Sequence, residues 1–535
     1  MNILSVDQIY KADKITIKNQ NIDSVQLMER AGEQVFDWIE DILMGAPIHI
    51  HVFCGIGNNG GDGLVVGRLL IESDYNVTVY VVNFSDKRSK DFLHNYDRIK
   101  TDTKVWPTLI KSEKDFPEIG SGDIVLDSIF GIGLNRSPEG WVKKLIEHLN
   151  KSGALIISID IPSGLFANKA LEDKDAVIKA THTLTFQIPK LAFFLPETGP
   201  FASMVKTLDI GLDQKFIEEA EPLAQLISQE EAQSFYIPRK KFGYKGTYGH
   251  ALIVAGSYGK IGAAVLASTA AFRIGAGMVT AFVPKCGYNI LQTTLPEAMV
   301  ITDKEEEFIT EITSDFEPTA IGIGMGMGKN QATVQALKKL FKNSKSQFVI
   351  DADALNNISE NKDLMKLLPK KSILTPHPGE LKRLIGSWND DYEKLEKVKK
   401  FSKKHDVVVI VKGAYTATVY EDKIYINTSG NPGMGTAGSG DTLSGILTGL
   451  LCQGYDILSA SLFGVFMHGF AGNKAADKMG YEALIAGDII ENLSEAYVEL
   501  FMDPENDNWE DDDLFDDDWD DDDWDDDEWE DDFLK

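Results

Sequence analysis

The chain has 535 residues, a net charge of −30, 43% hydrophobic residues and three cysteines. This length exceeds what one hydrophobic core supports, so two domains of ordinary size are expected. No apolar run approaches the roughly 20 residues of a membrane helix, which excludes a membrane-spanning protein. The cysteines are few, odd in number and far apart, which excludes a disulfide framework. We therefore expect a globular protein of the cytoplasm that does not bind membranes.

Most of the negative charge lies at the end of the chain. Residues 503–535 contain 17 Asp, 4 Glu and one Lys, which gives −20 and leaves −10 for the other 502 residues. Such a segment cannot bury enough apolar surface to offset its charge repulsion, so a disordered acidic tail is predicted. A solvated extension is the favoured interpretation, and a segment that binds a basic partner or divalent cations is the alternative. The rest of the chain is not basic, so nucleic-acid binding is not expected.

The first half of the chain predicts helices followed by alternating strands and helices. Residues 1–45 place apolar side chains three and four apart, which is the spacing of amphipathic helices. The predicted strands that follow are 47–55, 76–84, 123–131, 154–164 and 181–189. The predicted helices between them are 62–73, 90–100 and 139–150. This alternation is typical of a parallel sheet that is covered by helices on both faces.

The second half repeats this pattern after a break. Residues 211–235 lack the alternation and are interpreted as a connector. The predicted elements that follow are a strand at 249–257, a helix at 261–277, a strand at 278–284 and strand-and-loop units at 319–328, 347–356, 371–380 and 406–420. A mostly helical segment then extends from 440 to about 500. We predict two three-layer αβα domains, residues 1–225 and 226–502, followed by the tail at 503–535.

A glycine-rich run follows the first predicted strand. Residues Gly55–Gly60 match GxGxxG, in which glycine lets backbone N–H groups approach a phosphate. A dehydrogenase also needs an acid at the end of its second strand, but that strand ends with Val82–Ser85. A glycine turn with Asx hydrogen bonds is the alternative. Asn58, Asn59 and Asp62 add polar groups at the strand end and favour a ligand site.

Two later strands also end in polar residues. Asp127 and Asp160 lie towards the C-terminal ends of predicted parallel strands, where open α/β sheets bind ligands. Oxygen groups from Asn, Asp and Ser suit a monovalent cation, and a remaining carboxylate suits acid–base chemistry. The plainer alternatives are a strand-end cap for Asp127 and a turn former before Pro162 for Asp160.

The segments LMERAG, GIGNNGGDG, LDSIFGIGLNRS and IDIPSGL, in this order, resemble the NAD(P)H-hydrate epimerase domain, or YjeF N-terminal domain, over residues 1–215. The resemblance implies a Rossmann-like fold that interconverts the R and S forms of NADHX and NADPHX, reduced nicotinamides hydrated at C6. It implies that Asp160 is catalytic and faces the hydrated ring. It also implies that K⁺ is bound by Asn59, Asp127 and Ser163. The nucleotide phosphates are assigned to Asn58, Asn59, Gly60, Gly61, Asp62, Gly131, Ile132, Gly133, Leu134, Asn135, Arg136 and Ser137.

A second glycine-rich run, NPGMGTAGSGD at 431–441, precedes an apolar segment of helical character. Glycines at a helix N-terminus expose unpaired N–H groups at the positive end of the helix dipole, which stabilises a transferring phosphoryl group. Asp441, predicted as the last residue before the helix, suits a base that takes a proton from an attacking hydroxyl. An N-cap without catalytic function is the alternative. No GxxxxGK[ST] motif occurs, so a P-loop enzyme is excluded.

The 431–441 run resembles the anion hole of ribokinase-like kinases. With KGTYGHALIVAGSYGKIGAAVLASTAAFRIGAGMVT, DADALN, LTPHPGE and VKGAYT, it resembles ADP-dependent NAD(P)H-hydrate dehydratase over about 230–500. The resemblance implies a ribokinase-like fold, ADP as co-substrate, Mg²⁺ on its phosphates, and Asp441 as catalytic base beside the backbone of Gly438–Gly440. The hydrate is assigned to Ala263, Gly326, His377 and Asp441. The nucleotide is assigned to Lys412, Gly413, Ala414, Tyr415, Thr416 and Gly440.

The two halves together resemble the bifunctional NAD(P)H-hydrate repair enzymes of bacteria, which are isomerase and lyase in one chain. A vitamin or sugar kinase of the ribokinase type, fused to a non-catalytic Rossmann-like binding domain, is the main alternative. A second alternative is a scaffold such as the related domains of RNA-decapping proteins. Two side chains also have plainer interpretations: His377 as a partner of the backbone and Lys412 as a solvated lysine. We expect a homo-oligomer whose partners are small molecules.

Overall fold

A computed structural model describes residues 1–501, so the predicted acidic tail lies outside the described residues. The strands of the first half are β1 (Asn2–Ile3), β2 (Ile50–Cys54), β3 (Val77–Val82), β4 (Thr108–Ile110), β5 (Ile124–Ser128), β6 (Leu155–Ile159), β7 (His182–Phe186) and β8 (Met204–Leu208). Its helices are α1 (Val6–Gln20), α2 (Ser24–Leu43), α3 (Asn58–Glu72), α4 (Lys90–Asp102), α5 (Gly140–Lys151), α6 (Gly199–Ala202) and α7 (Gln214–Glu219).

Seven of these strands form an all-parallel sheet in the order β4-β3-β2-β5-β6-β7-β8. Each face of the sheet is covered by a separate hydrophobic cluster, because strands buried on both sides need apolar residues in both directions. The strand order reverses between β2 and β5. Such a reversal opens a crevice at the C-terminal ends of the two strands, where doubly wound folds bind ligands.

Helix α3 begins earlier than its sequence predicts. The predicted start at residue 62 is wrong, since the helix begins at Asn58 and contains the run NNGGD. Close packing explains the glycine at position 60, because a Cβ there would lie 1.9 Å from the Gly55 carbonyl oxygen. The same run that suggested a phosphate loop therefore forms the first turns of a helix that packs directly on the end of β2.

The second half contains ten strands and twelve α-helices within the described residues. The strands are β9 (Ala224–Ile227), β10 (His250–Val254), β11 (Met278–Val283), β12 (Met299–Thr302), β13 (Ala320–Ile323), β14 (Gln347–Ile350), β15 (Ile373–Leu374), β16 (Val408–Val411), β17 (Ala417–Tyr420) and β18 (Lys423–Asn427). The helices are α8 (Gln229–Phe235), α9 (Ile261–Arg273), α10 (Tyr288–Thr294), α11 (Gln331–Asn343), α12 (Ala352–Glu360), α13 (Lys362–Lys366), α14 (Pro378–Ile385), α15 (Asp391–His405), α16 (Ser439–Cys452), α17 (Ile457–Met479), α18 (Ala486–Glu491) and α19 (Leu493–Leu500).

The second sheet has eleven strands in the order β1-β9-β18-β17-β16-β15-β14-β13-β10-β11-β12. The part from β12 to β16 is parallel and has the same winding as the first sheet, with its reversal between β10 and β13. Antiparallel β17 and β18 extend it, and β9 then pairs with β18. The start of the chain closes this edge, because β1 pairs with β9.

The two halves share a hydrophobic core. One buried cluster combines residues of the second sheet with Ile161, Leu165 and Leu191–Leu195 of the first half. Polar contacts add to it, since the Glu197 N–H donates to Asp391 at 2.8 Å. The segments after β6 and β7 of the first sheet are therefore buried against the second half.

The predicted two-domain α/β fold is confirmed, and the centres of all five strands predicted in the first half are strands. Residues 211–235, interpreted as a connector, contain α7, β9 and α8, and their role as the connector between the domains stays a prediction. The predicted boundary at residue 225 falls within β9 and stays a prediction. Strands β4 and β8 were not predicted, since both are short and partly exposed and lack a buried apolar run.

Two compositional expectations concern the membrane and the cysteines. Among residues 1–501, no helix combines the length and apolar character that a membrane crossing requires. All three cysteines are free thiols, as predicted; Cys54 and Cys452 are buried, and Cys286 is partly buried.

Candidate active sites

A cavity of about 890 Å³ lies at the strand-order reversal of the first sheet. Helix α1 covers one side of it with Tyr10 and Asp13, and the loops after β2 and β5 form the opposite side. The structure brings most of the sequence-predicted residues together here. The predicted residues that line the cavity are Asn58, Asn59, Asp62, Gly131, Ile132, Gly133, Leu134, Asn135, Arg136 and Asp160.

The first turns of α3 face this cavity through Asn58, Asn59 and Asp62. No side chain caps the helix at Gly57, so its first N–H groups remain suited to an anion. The Asn59 amide is buried, and neither its oxygen nor its nitrogen has a hydrogen-bond partner within the described residues. An unpartnered buried amide is costly, so this one is suited to hydrogen-bond or coordinate a ligand in the cavity. Gly61 does not line the cavity; a Cβ there would lie 2.6 Å from Met28 Sδ, so packing explains this glycine.

Asp160 forms a buried ion pair that the sequence did not reveal. Its backbone has φ +68°, a left-handed conformation at the end of β6, and its N–H donates to the Leu184 carbonyl at 2.7 Å. Lys190 Nζ lies 2.5 Å from Asp160 Oδ1 and 2.5 Å from Thr185 Oγ1, and its side chain is 1% exposed. Both charged groups line the cavity. An adjacent carboxylate and ammonium provide a proton acceptor and a proton donor to one ligand.

Two further acids near Asp160 have raised pKa values. Burial, and then the charge of Asp160, raises the pKa of Asp13 to about 6, and Lys190 opposes this shift. Burial raises the pKa of Asp62 well above its usual value, with Asp160 as the next cause. Asp13 and Lys190 were missed in the sequence, although Lys190 follows the predicted strand 181–189 at the ligand-binding edge of the sheet. The cavity thus combines one ion pair with acids that are protonated more easily than in water.

Asp127 and Ser163 lie behind the cavity wall and do not line it. Ser163 Oγ donates to Asp127 Oδ1 at 2.5 Å, and Ser158 Oγ and the Ser163 N–H donate to Oδ2 at 2.7 and 2.8 Å. Burial raises the pKa of Asp127 despite these bonds. The Phe130 N–H donates to Ser163 Oγ at 2.8 Å, which ties the pair to the loop after β5. Ser137, in the same loop, has a buried hydroxyl without a partner among the described residues.

The second candidate site is the N-terminus of α16. Asp441 is the third residue of this helix, so its predicted place before the helix is wrong. The residue at the N-cap position is Gly438, with φ +89° and no side-chain cap, which also argues against an N-cap role for Asp441. Burial, and then the charge of Asp351, raises the pKa of Asp441 to about 6, while Lys412 opposes the shift. The site therefore offers a partly buried base at the positive end of a helix.

Lys412 and Asp351 form an ion pair beside this helix start. Lys412 Nζ lies 3.0 Å from Asp351 Oδ1, and Ser444 Oγ of α16 donates to Asp351 Oδ2 at 2.8 Å. A Cβ on Gly440 would lie 3.4 Å from Lys412 Nζ, so the lysine lies against the first turn. Lys412 is thus paired and only partly exposed, which excludes a merely solvated lysine. The other predicted nucleotide-binding residues, Gly413, Ala414, Tyr415 and Thr416, form the loop between β16 and β17.

The residues assigned to the hydrate lie at helix starts and in a loop of the second domain: Ala263 in the first turn of α9, Asp441 in that of α16, His377 at the N-cap of α14 and Gly326 in the loop after β13. A Cβ on Gly326 would lie 3.2 Å from Ala263 Cβ, so these two are in contact. The Lys412 N–H donates to the Pro376 carbonyl at 3.2 Å, which places the loop of His377 beside Lys412. His377 caps α14, where its Nδ1 accepts from the Gly379 N–H at 3.0 Å. The backbone role considered for His377 is therefore present, and half of its side chain stays exposed.

Besides Asp351, two functional candidates of the second site were missed in the sequence. Asp353 accepts from the Gly328 N–H at 2.9 Å and connects the glycine-rich loop after β13 to α12. His468 Nε2 lies 3.3 Å from Ser439 Oγ, and burial lowers the pKa of His468 to about 4. Asp353 follows a predicted strand and is part of DADALN, which was a usable signal. His468 lies within the apolar helix α17, and no local pattern distinguishes it.

Comparisons with known proteins divide the chain in the same way. The family profile described as YjeF-related protein N-terminus matches residues 24–192, and the one described as NAD(P)H-hydrate dehydratase matches residues 251–495. The bifunctional NAD(P)H-hydrate repair enzyme of Moorella thermoacetica is 34% identical over 92% of this chain and 96% of its own length. The bifunctional NAD(P)H-hydrate repair enzyme of Escherichia coli is 31% identical over 91% of this chain and 92% of its own length. The matches among solved structures include ADP/ATP-dependent NAD(P)H-hydrate dehydratase from Bacillus subtilis, co-crystallised with ATP and Mg²⁺. Its sequence is 26% identical and the TM-score is 0.44. The match covers 52% of this chain and 99% of that chain.

The fold and the two candidate sites define a two-domain α/β enzyme with one uncapped helix N-terminus at the site of each domain. The identities extend over nearly the whole of both relatives. The chain therefore belongs to the family of bifunctional NAD(P)H-hydrate repair enzymes.

Proposed function

We propose that the chain repairs hydrated nicotinamide nucleotides in two steps. The first domain interconverts the R and S forms of NADHX and NADPHX, and the second converts the S form to NADH or NADPH with ADP as phosphoryl donor. The family membership supports both activities. One structural observation carries the dehydratase assignment: Asp441, a base with a pKa raised to about 6, lies in the first turn of an uncapped helix.

In the dehydratase step, Asp441 takes the proton from the C6 hydroxyl of the hydrate. The hydroxyl oxygen then attacks the β-phosphorus of ADP. The N–H groups of Gly438–Gly440 stabilise the charge that develops on the transferring phosphoryl group, and AMP leaves. The ring nitrogen then expels phosphate from C6, and loss of a proton from C5 restores the dihydronicotinamide. Hydroxide leaves such a ring poorly and phosphate leaves it well, which explains why a dehydratase uses a kinase-like site.

Mg²⁺ fits this site as a partner of the nucleotide phosphates and less well as a protein-bound ion. Within residues 1–501, the acids around Asp441 do not converge into a cluster with metal-ligand geometry. Mg²⁺ usually binds through one or two carboxylates together with substrate phosphates, so a prebuilt cage is not required. The charges of Asp351 and Asp353 act on Asp441. These two carboxylates are therefore the side chains that would hold the Mg²⁺ of a bound nucleotide.

In the epimerase step, Asp160 and Lys190 act on the carbinolamine at C6. Asp160 accepts the hydroxyl proton as the bond between C6 and the ring nitrogen breaks, and the Lys190 ammonium donates a proton to the nitrogen. The resulting aldehyde rotates and closes again from the other face with the reverse transfers. The paired carboxylate and ammonium suit this reaction, because it needs a base and an acid at the same time.

We propose that K⁺ binds between Asn59, Asp127 and Ser163. The Asn59 amide oxygen has no partner within the described residues, and Asp127 is a buried carboxylate whose charged form is disfavoured by burial. A monovalent cation with oxygen ligands would satisfy the amide and favour the ionised carboxylate. The ion would hold the loop after β5 against α3, because Ser163 is bonded to Phe130.

The test is an assay of the full chain with purified S-NADHX, ADP and Mg²⁺, in which the absorbance of NADH is monitored over time. We expect NADH and AMP to form in equal amounts. With R-NADHX as the starting material, NADH should also form, because the first domain supplies the S form. Parallel reactions with ATP establish the preferred nucleotide.

Two results would support the alternatives. Phosphorylation of a vitamin or sugar alcohol without NADH formation would identify a ribokinase-like kinase. Repair of the S form with no use of the R form, in a correctly folded protein, would leave the first domain as a non-catalytic binding domain or scaffold.

A further inference from the structure

Three metal-ligating side chains converge at the end of the first domain that is remote from its cavity. His49 directly precedes β2, His51 is the second residue of β2, and Asp123 directly precedes β5. The cavity lies at the C-terminal ends of these strands, so the five residues of β2 separate the two places by roughly 15 Å. The cluster is therefore independent of the epimerase site and of the ions expected there.

The backbone holds these three residues on one side of the sheet. His49 and His51 are two positions apart, the spacing that directs side chains to the same face, and their ring centroids are 4.0 Å apart. The Ile124 N–H donates to the His49 carbonyl at 3.0 Å, which fixes Asp123 beside His49. His51 Nε2 lies 3.2 Å from Asp123 Oδ2. One nitrogen or oxygen from each residue lies within 4.8 Å of the other two.

We propose that His49, His51 and Asp123 bind a divalent metal ion of the zinc class, with water as the fourth ligand. Ligands about 2 Å from a tetrahedral zinc ion are about 3.3 Å from one another. His51 and Asp123 already have this separation. His49 reaches it by rotation of its half-buried ring, whose Nε2 is bonded to Thr78 Oγ1 at 2.8 Å. Two imidazoles and one carboxylate favour zinc over Mg²⁺ or K⁺.

Neighbouring groups already orient two of the three ligands. His51 Nδ1 lies 3.2 Å from the Tyr80 hydroxyl, and the Gly120 N–H donates to Asp123 Oδ2 at 2.6 Å. Such second contacts are typical of metal-binding histidines and carboxylates. His51 is buried, while His49 and Asp123 are partly exposed and leave a path for the ion. The bound metal connects β2 to β5 and stabilises the first domain without touching its substrate.

The experiment compares Zn²⁺ binding to the chelator-treated full chain and three variants by calorimetry. The variants are His49→Ala and Asp123→Asn, which change ligands at the rim and leave buried His51 in place, and His94→Ala as the matched control. His94 is exposed on α4 and lies outside the cluster. The carboxylates of residues 503–535 are present in all four proteins and contribute a common weak background.

We expect wild type and His94→Ala to bind one Zn²⁺ per chain with a Kd on the order of 1 µM or tighter. Binding should weaken at least about tenfold in His49→Ala and Asp123→Asn. Zinc should raise the Tm of wild type and His94→Ala more than that of the two ligand variants. Absence of the tight site, or equal binding by His49→Ala and wild type, would overturn the proposal and leave a metal-free hydrogen-bond network of Tyr80, His51 and Asp123.

Discussion

The two active sites use the same architecture with one difference in how charge is balanced. Both lie on sheets of the same winding, beside the uncapped N-terminus of a helix and next to a Lys–Asp ion pair. In the first site the pair itself, Asp160 and Lys190, lines the cavity. In the second site the pair, Asp351 and Lys412, lies beside the helix start, and Asp441 forms no ion pair with any residue of 1–501.

This difference matches the proton transfers that each reaction needs. Epimerisation takes the proton from the C6 hydroxyl and gives one to the ring nitrogen as the ring opens, so a base and an acid must face the substrate together. Phosphoryl transfer needs a single base for the attacking hydroxyl. In the proposed mechanism Asp441 is this base: Asp351 is paired with Lys412, and Asp441 is left in a partly buried position, where the charge of Asp351 also raises its pKa.

The sharpest test of this comparison is Asp441→Asn. We expect dehydration to fall about 10³-fold, because a positioned base is lost. Epimerisation of R-NADHX, measured by chromatography of the two forms, should be unchanged, because it uses the other domain. The Tm should not decrease, since the variant removes a carboxylate whose charged form is disfavoured by burial. Loss of both activities in a folded variant would contradict the independence of the two sites.

The two ion pairs can be compared through Asp160→Asn and Asp351→Asn. The first leaves the ammonium of Lys190, 1% exposed, without its counter-charge, which should cost roughly 3 kcal/mol of the free energy of unfolding. The second leaves Lys412 without its counter-charge. Because Lys412 is 24% exposed and partly solvated, we expect about half of that cost. Urea unfolding monitored by fluorescence measures both. Equal costs would show that burial of the lysine does not distinguish the pairs.

The pH dependence of dehydration should report the pKa of Asp441. As a base it acts in its ionised form, so kcat/KM should fall about tenfold for each pH unit below about 6. Because the pKa of Asp441 is raised in the folded state, its contribution to stability declines as pH rises from 3.8 to about 6. The stability advantage of Asp441→Asn over wild type should therefore grow across this range. A profile with no inflection near 6 would argue against Asp441 as the base.

The smallest expected effect concerns the contact between the two domains. The Phe194 ring packs edge-on against Tyr415, in the proposed nucleotide loop, with centroids 5.1 Å apart. Phe194→Leu keeps apolar volume in the shared core and removes this aromatic pair. We expect the Kd for ADP, measured by calorimetry, to rise about threefold. The control is Phe193→Leu, which alters the neighbouring buried ring; an equal effect there would exclude a specific contribution of the aromatic pair.

The sequence indicates the fold and most of the first site, because glycine runs and strand-end acids are local signals. Asn59, Asp160 and the loop at 131–136 lie where the predicted strand ends placed them. Lys190 could not be assigned, since its partner Asp160 is thirty residues earlier and only the sheet brings them together. His468 was missed for the same reason, because its contact with Ser439 depends on how α17 packs against α16.

The pairing of β1 with β9 has a consequence for how the protein forms during synthesis. Ile3 pairs with Ala224, and Ile227 pairs with Asn427, so β1 must wait for strands that are synthesised much later. The earlier half can collapse around its own sheet, but its attachment to the later half is completed only when β18 has emerged. A nascent chain that stalls before that point would expose an unpaired strand edge, and chaperone binding should concentrate there.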